Sequence, residues 1–219
     1  MLLAEEFLLL ALDPVAGRPP LGTGDNLKPG LCGALLAELV LSEKVAVVGD
    51  RVQVTDTGPT GDDMLDEVLR LLAADGRGPR KLKGQLKTIA RGVGNVRDRV
   101  AGRLVSTAVL DEERSRFVGI VPVTRYRVRD LESRQRVPED LRRWLADPTS
   151  PVEGRLATLV ALLEACHLLG MITENRTELR TASPKARAAM ADTPAAMAVR
   201  AVIDEVRTPT AAGAAALFG

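Results

Sequence analysis

Aromatic side chains are scarce in this chain, since three Phe, one Tyr and one Trp make up only 2% of its 219 residues. Proteins that bind single-stranded nucleic acid without sequence preference stack the bases on aromatic rings. So few rings leave almost no material for such a platform. The hydrophobic core must therefore be built mainly from Leu, Val and Ala.

Cysteine and histidine, which often hold metals or act in catalysis, are also rare. Cys32 and Cys166 fit no metal-ligand spacing, and this usage is typical of a reduced cytosolic protein. His167 is the single histidine and lies in an apolar segment, where a satisfied core residue is the more common outcome. The sequence has no phosphate loop of the form GxxxxGKS or GxxxxGKT. We therefore expect a non-enzymatic protein with no metal and no cofactor.

Long uninterrupted apolar runs are missing as well, and no window reaches the roughly 18 apolar residues of a transmembrane span. The apolar stretch Met1–Leu12 carries Glu5 and Glu6 and lacks a basic region, which favours a helix over a signal peptide. The segment Thr158–Ile172 contains an acid and the histidine, so we interpret it as a buried core helix. Any membrane association is expected to be peripheral, on a cytoplasmic protein.

The strongest local feature is a basic stretch, Arg77–Arg103, in a chain whose formal net charge is only +1. It holds nine Lys or Arg residues against one acid, Asp98. Apolar residues recur in it every three or four positions, which predicts a helix with one buried face, and Gly92 and Gly94 favour a break or a close backbone approach. Such a basic surface is either a solvated helix face or a surface that meets phosphate, on lipid or nucleic acid. The predicted buried stripe comprises Leu86, Ile89, Val93, Val96, Val100 and Leu104.

Two segments have the pattern of β-strands. Lys44–Val54 is interpreted as two short strands joined at Gly49-Asp50, which is a hairpin signal. Arg116–Arg129 is β-rich, and Pro122 favours an edge or turn position there. Alternating arginines share one face of this segment, which is either solvated, a phosphate-contacting ribbon or a contact between copies of the chain. The predicted oligomer contact comprises Arg125, Tyr126 and Arg127.

Helix boundaries are predicted from prolines and capping residues. The first helix is expected over Leu2–Leu12, and the Thr158–Ile172 segment belongs to a long helix from Gly154 to Met171. First-turn acids are usually capping and dipole partners, so we assign a structural role rather than a catalytic or metal-binding one to Asp62, Asp66 and Glu67. The other predicted helix starts are Pro29, Thr60 with a capping box to Asp63, Pro138, Ser183 and Thr193.

The length favours one mainly α-helical domain over residues 1–207, with a frayed Ala-rich tail at 208–219. A helix at Pro29–Leu41 followed by a hairpin also looks like a recognition helix and its wing, so a winged-helix DNA-binding regulator is the alternative function. That helix presents few side chains suited to base edges, and the basic residues lie elsewhere. Nucleic acid is therefore not the expected partner.

Five segments, taken together, resemble the Golgi phosphoprotein three family. They are AEEFLLLAL (residues 4–12), GLCGALLAEL (30–39), GPTGDDMLDEVL (58–69), NVRDRVAGRLVSTAVL (95–110) and WLADP (144–148). The resemblance runs over about residues 2–206, and the Ala, Arg, Val and Gly bias suggests a bacterial member. It implies a single-domain helical bundle around a central apolar helix, ringed by amphipathic helices, with one or two short β-hairpins, one of which serves oligomerisation.

The resemblance also implies a function. Eukaryotic members are peripheral Golgi proteins that bind phosphatidylinositol 4-phosphate and act as adaptors that retain glycosyltransferases through coatomer. The implied function here is a non-enzymatic peripheral membrane protein that binds an anionic, phosphoinositide-like phospholipid headgroup and acts as an adaptor for a membrane-enzyme client. A homo-oligomer formed through residues 116–129 is implied as well.

The family's headgroup site transfers only in part. It uses a Trp, an Arg and two basic residues three apart, and these positions fall near Thr23 and at Cys32, Gly94 and Arg97. Arg97 alone keeps the family's residue type, and it is the predicted central contact. The basic helix supplies the auxiliary contacts, which are predicted to be Lys87, Arg91 and Arg99.

Overall fold

The computed structural model describes residues 1–13, 16–74, 76, 78–117, 121–129 and 131–207. Within them, helices predominate and short antiparallel strands form two small sheets, which confirms the predicted mainly α fold class. The helices are α1 Leu3–Ala11, α2 Gly24–Leu41, α3 Asp63–Ala73, α4 Leu82–Gly92, α5 Val96–Ser106, α6 Leu131–Ala146, α7 Gly154–Ala165, α8 Arg176–Asp192 and α9 Pro194–Arg207. The strands are β1 Val45–Val48, β2 Arg51–Val54, β3 Arg80–Lys81, β4 Leu110–Phe117 and β5 Val121–Val128. The predicted tail at 208–219 and the centre of the 116–129 segment lie outside the described residues.

Helix α2 is the central apolar helix of the bundle. It packs against α1, α3, α4, α5, α7 and α9, and 11 of its 18 residues are buried. The buried Asn26 side chain donates a 2.9 Å hydrogen bond to the Cys166 carbonyl at the end of α7. This tertiary contact ties the first turn of α2 to the core.

The basic stretch folds as two helices rather than one. Helix α4 ends at Gly92, and α5 begins at Val96 after Gly94, whose φ of +71° favours glycine. The predicted break is therefore confirmed. Each residue of the predicted apolar stripe is buried, with at most 3% of its surface exposed.

Three prolines that predict helix starts lie inside helices, so those predicted boundaries are wrong. An interior proline gives up one backbone hydrogen bond, and in α8 a side-chain cap at the true helix start supplies two others. In α8, the Asn175 side chain caps the helix by accepting from the amides of Thr177 and Glu178, both at 3.0 Å. The helix expected at Thr193 begins as predicted, at Pro194, and the helix expected to start at Gly154 begins there as well. The prolines inside helices are Pro29 in α2, Pro138 in α6 and Pro184 in α8.

Helix α3 is capped by Asp62, not by Thr60 as predicted. The Asp62 carboxylate accepts from the amides of Met64 and Leu65 at 3.0 and 3.2 Å. The Thr60 hydroxyl and amide instead donate to the Asp66 carboxylate, both at 2.7 Å. These bonds give Asp62 and Asp66 structural contacts of the kind that was predicted for them.

The hairpin predicted at Lys44–Val54 forms, and the β-rich segment 116–129 belongs to a second hairpin. Strands β1 and β2 pair on either side of Gly49-Asp50, and β3, which was not predicted, adds a third strand to that sheet. Strands β4 and β5 pair from Leu110 opposite Val128 to Phe117 opposite Val121. The Tyr126 amide on β5 donates a 3.1 Å bond to the Gly17 carbonyl, which fixes the loop between α1 and α2 against this hairpin.

The predicted long helix from Gly154 to Met171 is wrong, and so is the predicted core position of His167. Helix α7 ends at Ala165, and His167 adopts a φ of +58° that turns the chain. Its ring is exposed, with Nδ1 3.2 Å from a guanidinium nitrogen of Arg200. Among the described residues, no helix has the length and apolar character needed to cross a membrane.

Candidate anion-binding site

Two of the four predicted headgroup residues form ion pairs with acids of other helices, and a third, Arg91, is exposed at the end of α4. Lys87 on α4 forms an ion pair with Glu205 of α9 at 3.0 Å. Arg99 on α5 pairs with Glu67 of α3 at 2.6 Å and also donates to the Val93 carbonyl at 3.0 Å. The Arg99 hydrogen bond lowers the pKa of the Glu67 carboxyl, as expected for a persistent ion pair. These contacts show that much of the basic stretch binds the bundle together.

Arg97 itself lies in the first turn of α5 and is half-buried. Its guanidinium carbon lies 5.8 Å from the centroid of the Tyr126 ring, a cation–π distance. Its Nε is buried and has no hydrogen-bond partner among the described residues. The arginine therefore packs against the ring, and its hydrogen-bonding capacity is not fully used.

Tyr126 also contacts Asp98, the acid that follows Arg97 in the sequence. The phenol donates a 3.3 Å hydrogen bond to Asp98, whose carboxylate also accepts from the Asn95 side chain at 2.5 Å. Burial, with the Asp98 charge beside it, raises the pKa of Tyr126 to about 12, so the phenol remains a neutral donor at neutral pH. Asp98 is thus engaged by two donors that are not Arg97.

Two clefts meet at Arg97. One, of about 330 Å³, is lined by Arg97, Lys28 of α2 and the 94–96 segment that leads into α5. The other, of about 320 Å³, is lined by Arg97, Arg18 of the loop before α2, and Arg125 of β5, together with apolar loop residues. No Asp or Glu is among the described residues that line either cleft. We call the two together the Arg97 cleft.

Two helix N-termini open onto the Arg97 cleft. Gly24, the first residue of α2, lines the second cleft, and the start of α5 lines the first. Neither the Thr23 nor the Asn95 side chain accepts a capping hydrogen bond from its helix; the Thr23 hydroxyl donates to the Pro20 carbonyl and the Asn95 amide donates to Asp98. The positive ends of both helix dipoles therefore add to the charge of four basic side chains. This combination suits an anion with several oxygens, such as a phosphate ester.

Sequence reasoning found Arg97 but missed Arg18, Lys28 and Arg125 as members of one site. Lys28 lies one helical turn before Cys32, the position where the family resemblance placed an Arg. Cys32 itself is fully buried, and burial raises the pKa of its thiol to about 11. Spacing along α2 could have pointed to Lys28, whereas Arg18 and Arg125 reach the cleft only through the docking of the loop on β5.

Other ion pairs in the described part of the chain link the helices of the bundle, and Arg155 of α7 contacts Glu6 of α1 and Glu38 of α2 at 3.3 and 2.8 Å. Arg103 of α5 contacts Glu5 of α1 at 2.8 Å and Asp62 at 2.5 Å, and so links three helices. The described residues contain no group of three or more Cys, His, Asp or Glu side chains that could hold a metal ion. The Arg97 cleft is thus the candidate site on which the argument for function rests.

Fold and site together define a helical-bundle protein that presents a cationic cleft beside an antiparallel hairpin. The sequence profile of the Golgi phosphoprotein 3 (GPP34) family matches residues 3–206, nearly the whole chain. The chain therefore belongs to the Golgi phosphoprotein 3 family.

Proposed function

We propose that this protein is a non-enzymatic peripheral membrane protein that binds a phosphoinositide-like phospholipid headgroup in the Arg97 cleft. The observation that carries the proposal is the meeting of three further basic side chains and two helix N-termini around one half-buried arginine. Membership of the family supports an adaptor role, in which the headgroup site holds the protein at a membrane beside a membrane-enzyme client.

The residues of the cleft differ in what they can give to a phosphate. Arg97 is oriented by Tyr126, so little side-chain freedom is lost when it binds. Arg18, Lys28 and Arg125 are exposed and can adjust to the substituents of the headgroup. Each basic residue close to an anionic membrane contributes about 1 kcal/mol, and salt screens this attraction. Four such residues give reversible, salt-sensitive attachment.

The alternative function that the sequence suggested, winged-helix DNA binding, requires an exposed recognition helix, and α2 does not provide one. Helix α2, which precedes the β1–β2 hairpin, is enclosed by six other helices and has most of its residues buried. A recognition helix must expose side chains to the base edges of the major groove. The burial of α2 therefore favours the lipid function over the DNA-binding one.

The test is vesicle co-sedimentation of the wild type, Arg97→Ala and Arg91→Ala. Vesicles of phosphatidylcholine alone are compared with vesicles that also carry phosphatidylglycerol or phosphatidylinositol 4-phosphate. Arg91 is exposed at the end of α4 and lines neither part of the cleft, so its variant removes the same charge elsewhere. We expect about a tenfold loss of binding or more for Arg97→Ala, because a hydrogen-bonded phosphate contact is lost, and a small loss for Arg91→Ala.

Circular dichroism confirms that both variants keep the fold. Equal losses for the two variants would mean generic electrostatic attraction instead of a site. Unchanged binding of Arg97→Ala would overturn the assignment of the cleft. Preference for the 4-phosphate over phosphatidylglycerol would identify the headgroup class.

A further inference from the structure

Leu21 is the most exposed large hydrophobic residue in the described part of the chain, with 90% of its surface accessible. It lies on the rim of the Arg97 cleft, in the same lining as Arg18, Arg97 and Arg125. Scattered exposed leucines are common and need no explanation. Leu21 differs from such residues because it lies beside several cations, in a cleft whose described lining contains no Asp or Glu.

A hydrogen-bonded turn keeps the Leu21 side chain exposed. The Thr23 amide and hydroxyl both donate to the Pro20 carbonyl, at 3.2 and 2.8 Å, and close a four-residue turn with Leu21 in its second position. Gly22, in the third position, has a φ of +81°, which is the requirement of a type II turn. Pro19 and Pro20 fix the backbone just before Leu21.

The loop that carries this turn is also fixed at its other side. Gly17 accepts a backbone hydrogen bond from Tyr126 and has a φ of +62°. A Cβ at Gly17 would lie 2.7 Å from the Tyr126 carbonyl oxygen, so only glycine permits this approach. The same Tyr126 packs against Arg97. The loop that carries the exposed leucine therefore contacts Tyr126, and so does the central arginine.

We propose that Leu21 is a membrane wedge, which enters the acyl region of an anionic bilayer while the cations of the Arg97 cleft hold the phosphates above it. The inference rests on the proposed headgroup function. A free phosphate or a soluble anion uses only the cations and leaves Leu21 in water. A lipid surface uses both, since it offers negative charge at the headgroups and apolar surroundings immediately below.

A rigid turn makes this arrangement effective. An apolar side chain on a flexible loop loses conformational freedom when it inserts, and that cost offsets part of the gain. Leu21 is already projected by hydrogen bonds and prolines, so its insertion costs little ordering. The expected contribution of Leu21 to vesicle affinity is about tenfold, from the burial of one Leu side chain.

The direct test places an environment-sensitive fluorophore on Leu21→Cys. The native thiols will not react, because Cys32 and Cys166 are fully buried and burial raises their pKa values to about 11 and about 12. Val48→Cys is the matched control, since Val48 is 79% exposed and lies beyond the opposite end of α2. The 18 residues of α2 span about 27 Å.

Vesicles of phosphatidylcholine with phosphatidylinositol 4-phosphate should shift the emission of the Leu21→Cys label to the blue and leave the Val48→Cys label unchanged. The water-soluble headgroup, glycerophosphoinositol 4-phosphate, should shift neither label. A bound protein whose label at position 21 shows no shift overturns the wedge.

Leu21→Ser separates the wedge from the headgroup site. The variant should bind these vesicles about tenfold more weakly and bind the soluble headgroup as the wild type does. Equal vesicle binding by Leu21→Ser and wild type, together with weakened binding by Arg97→Ala, rejects the wedge and keeps the headgroup site. Unchanged vesicle binding by Arg97→Ala rejects the headgroup site itself.

Discussion

Gly30 lies where three elements of the bundle come together. A Cβ at this position of α2 would lie 2.4 Å from the ring of Phe7 on α1 and 2.7 Å from the sulfur of Cys166. Both neighbours are fully buried, so neither can move without displacing others. Gly102 on α5 is the contrasting case, because it is exposed and a Cβ there meets no atom within 4 Å.

We predict opposite effects for alanine at these two helical glycines. Gly30→Ala should lower the free energy of unfolding by about 1–3 kcal/mol, since overpacking outweighs the gain in helix propensity. Gly102→Ala should raise it by up to about 1 kcal/mol, because only the propensity changes. Chemical denaturation measures both. A stabilised Gly30 variant would show that α1 and α2 can separate at little cost.

The residues of the candidate site show what sequence alone can reach. Arg97 could be predicted, because it lies in a basic stretch and matches a family position. Lys87 and Arg99 belong to the same stretch, yet they form ion pairs with Glu205 and Glu67. Which cations are engaged by acids depends on tertiary neighbours far away in sequence. For the same reason, the sequence did not predict Arg18 and Arg125 as members of the site, since they line the cleft from the loop before α2 and from β5.

At the scale of elements, the periodic spacing of apolar residues identified the helices. Local signals for helix starts, such as proline, placed several helix ends wrongly. Pro29 reads as a helix start, yet α2 begins at Gly24, and Asn26 anchors this added turn through the Cys166 carbonyl. His167 looked like part of an apolar helix, yet its positive φ ends α7. Boundaries of this kind depend on partners that a linear pattern does not contain.

The cap of α3 gives a prediction for one element. Asp62→Ala removes the acceptor of two helix amides and one of the two carboxylates on Arg103, so the free energy of unfolding should fall by about 2 kcal/mol. Asp62→Asn keeps a capping acceptor and removes only the charge, and it should cost less than the alanine variant. Thermal or chemical unfolding of the two variants makes the comparison. Equal losses would mean that the Arg103 ion pair, and not the cap, dominates.

At the scale of the whole molecule, the net charge is only +1, but the charged side chains are unevenly distributed. The Arg97 cleft lies at the N-terminal end of α2, and the β1–β2 hairpin follows its C-terminal end. Headgroup binding, as proposed, would orient α2 with its N-terminus towards the membrane. The predicted contact between copies stays a prediction, and within it Arg125 and Arg127 are exposed while Tyr126 is buried against the bundle.

Acid sensitivity is also a property of the whole fold, and two carboxyls should contribute with opposite sign. The Arg99 hydrogen bond lowers the pKa of Glu67 below its ordinary 4.5, so the folded state gains stability from Glu67 above that pH and loses it as the pH falls. Burial raises the pKa of Glu6, with Arg155 offsetting part of the rise. The folded state therefore gains from Glu6 below pH 4.5, where the group is protonated, and loses that gain as the pH rises.

Glu67→Gln and Glu6→Gln isolate these two contributions. Between neutral pH and a pH below 4.5, the wild type should lose stability relative to Glu67→Gln, by up to about 1 kcal/mol for a partly exposed pair. Over the same interval it should gain stability relative to Glu6→Gln. Denaturant unfolding at both pH values gives the two differences directly. If both stability differences changed in the same direction, the ion pair with Arg155, and not burial, would control the pKa of Glu6. Charge would then hold α1 to α7 at neutral pH.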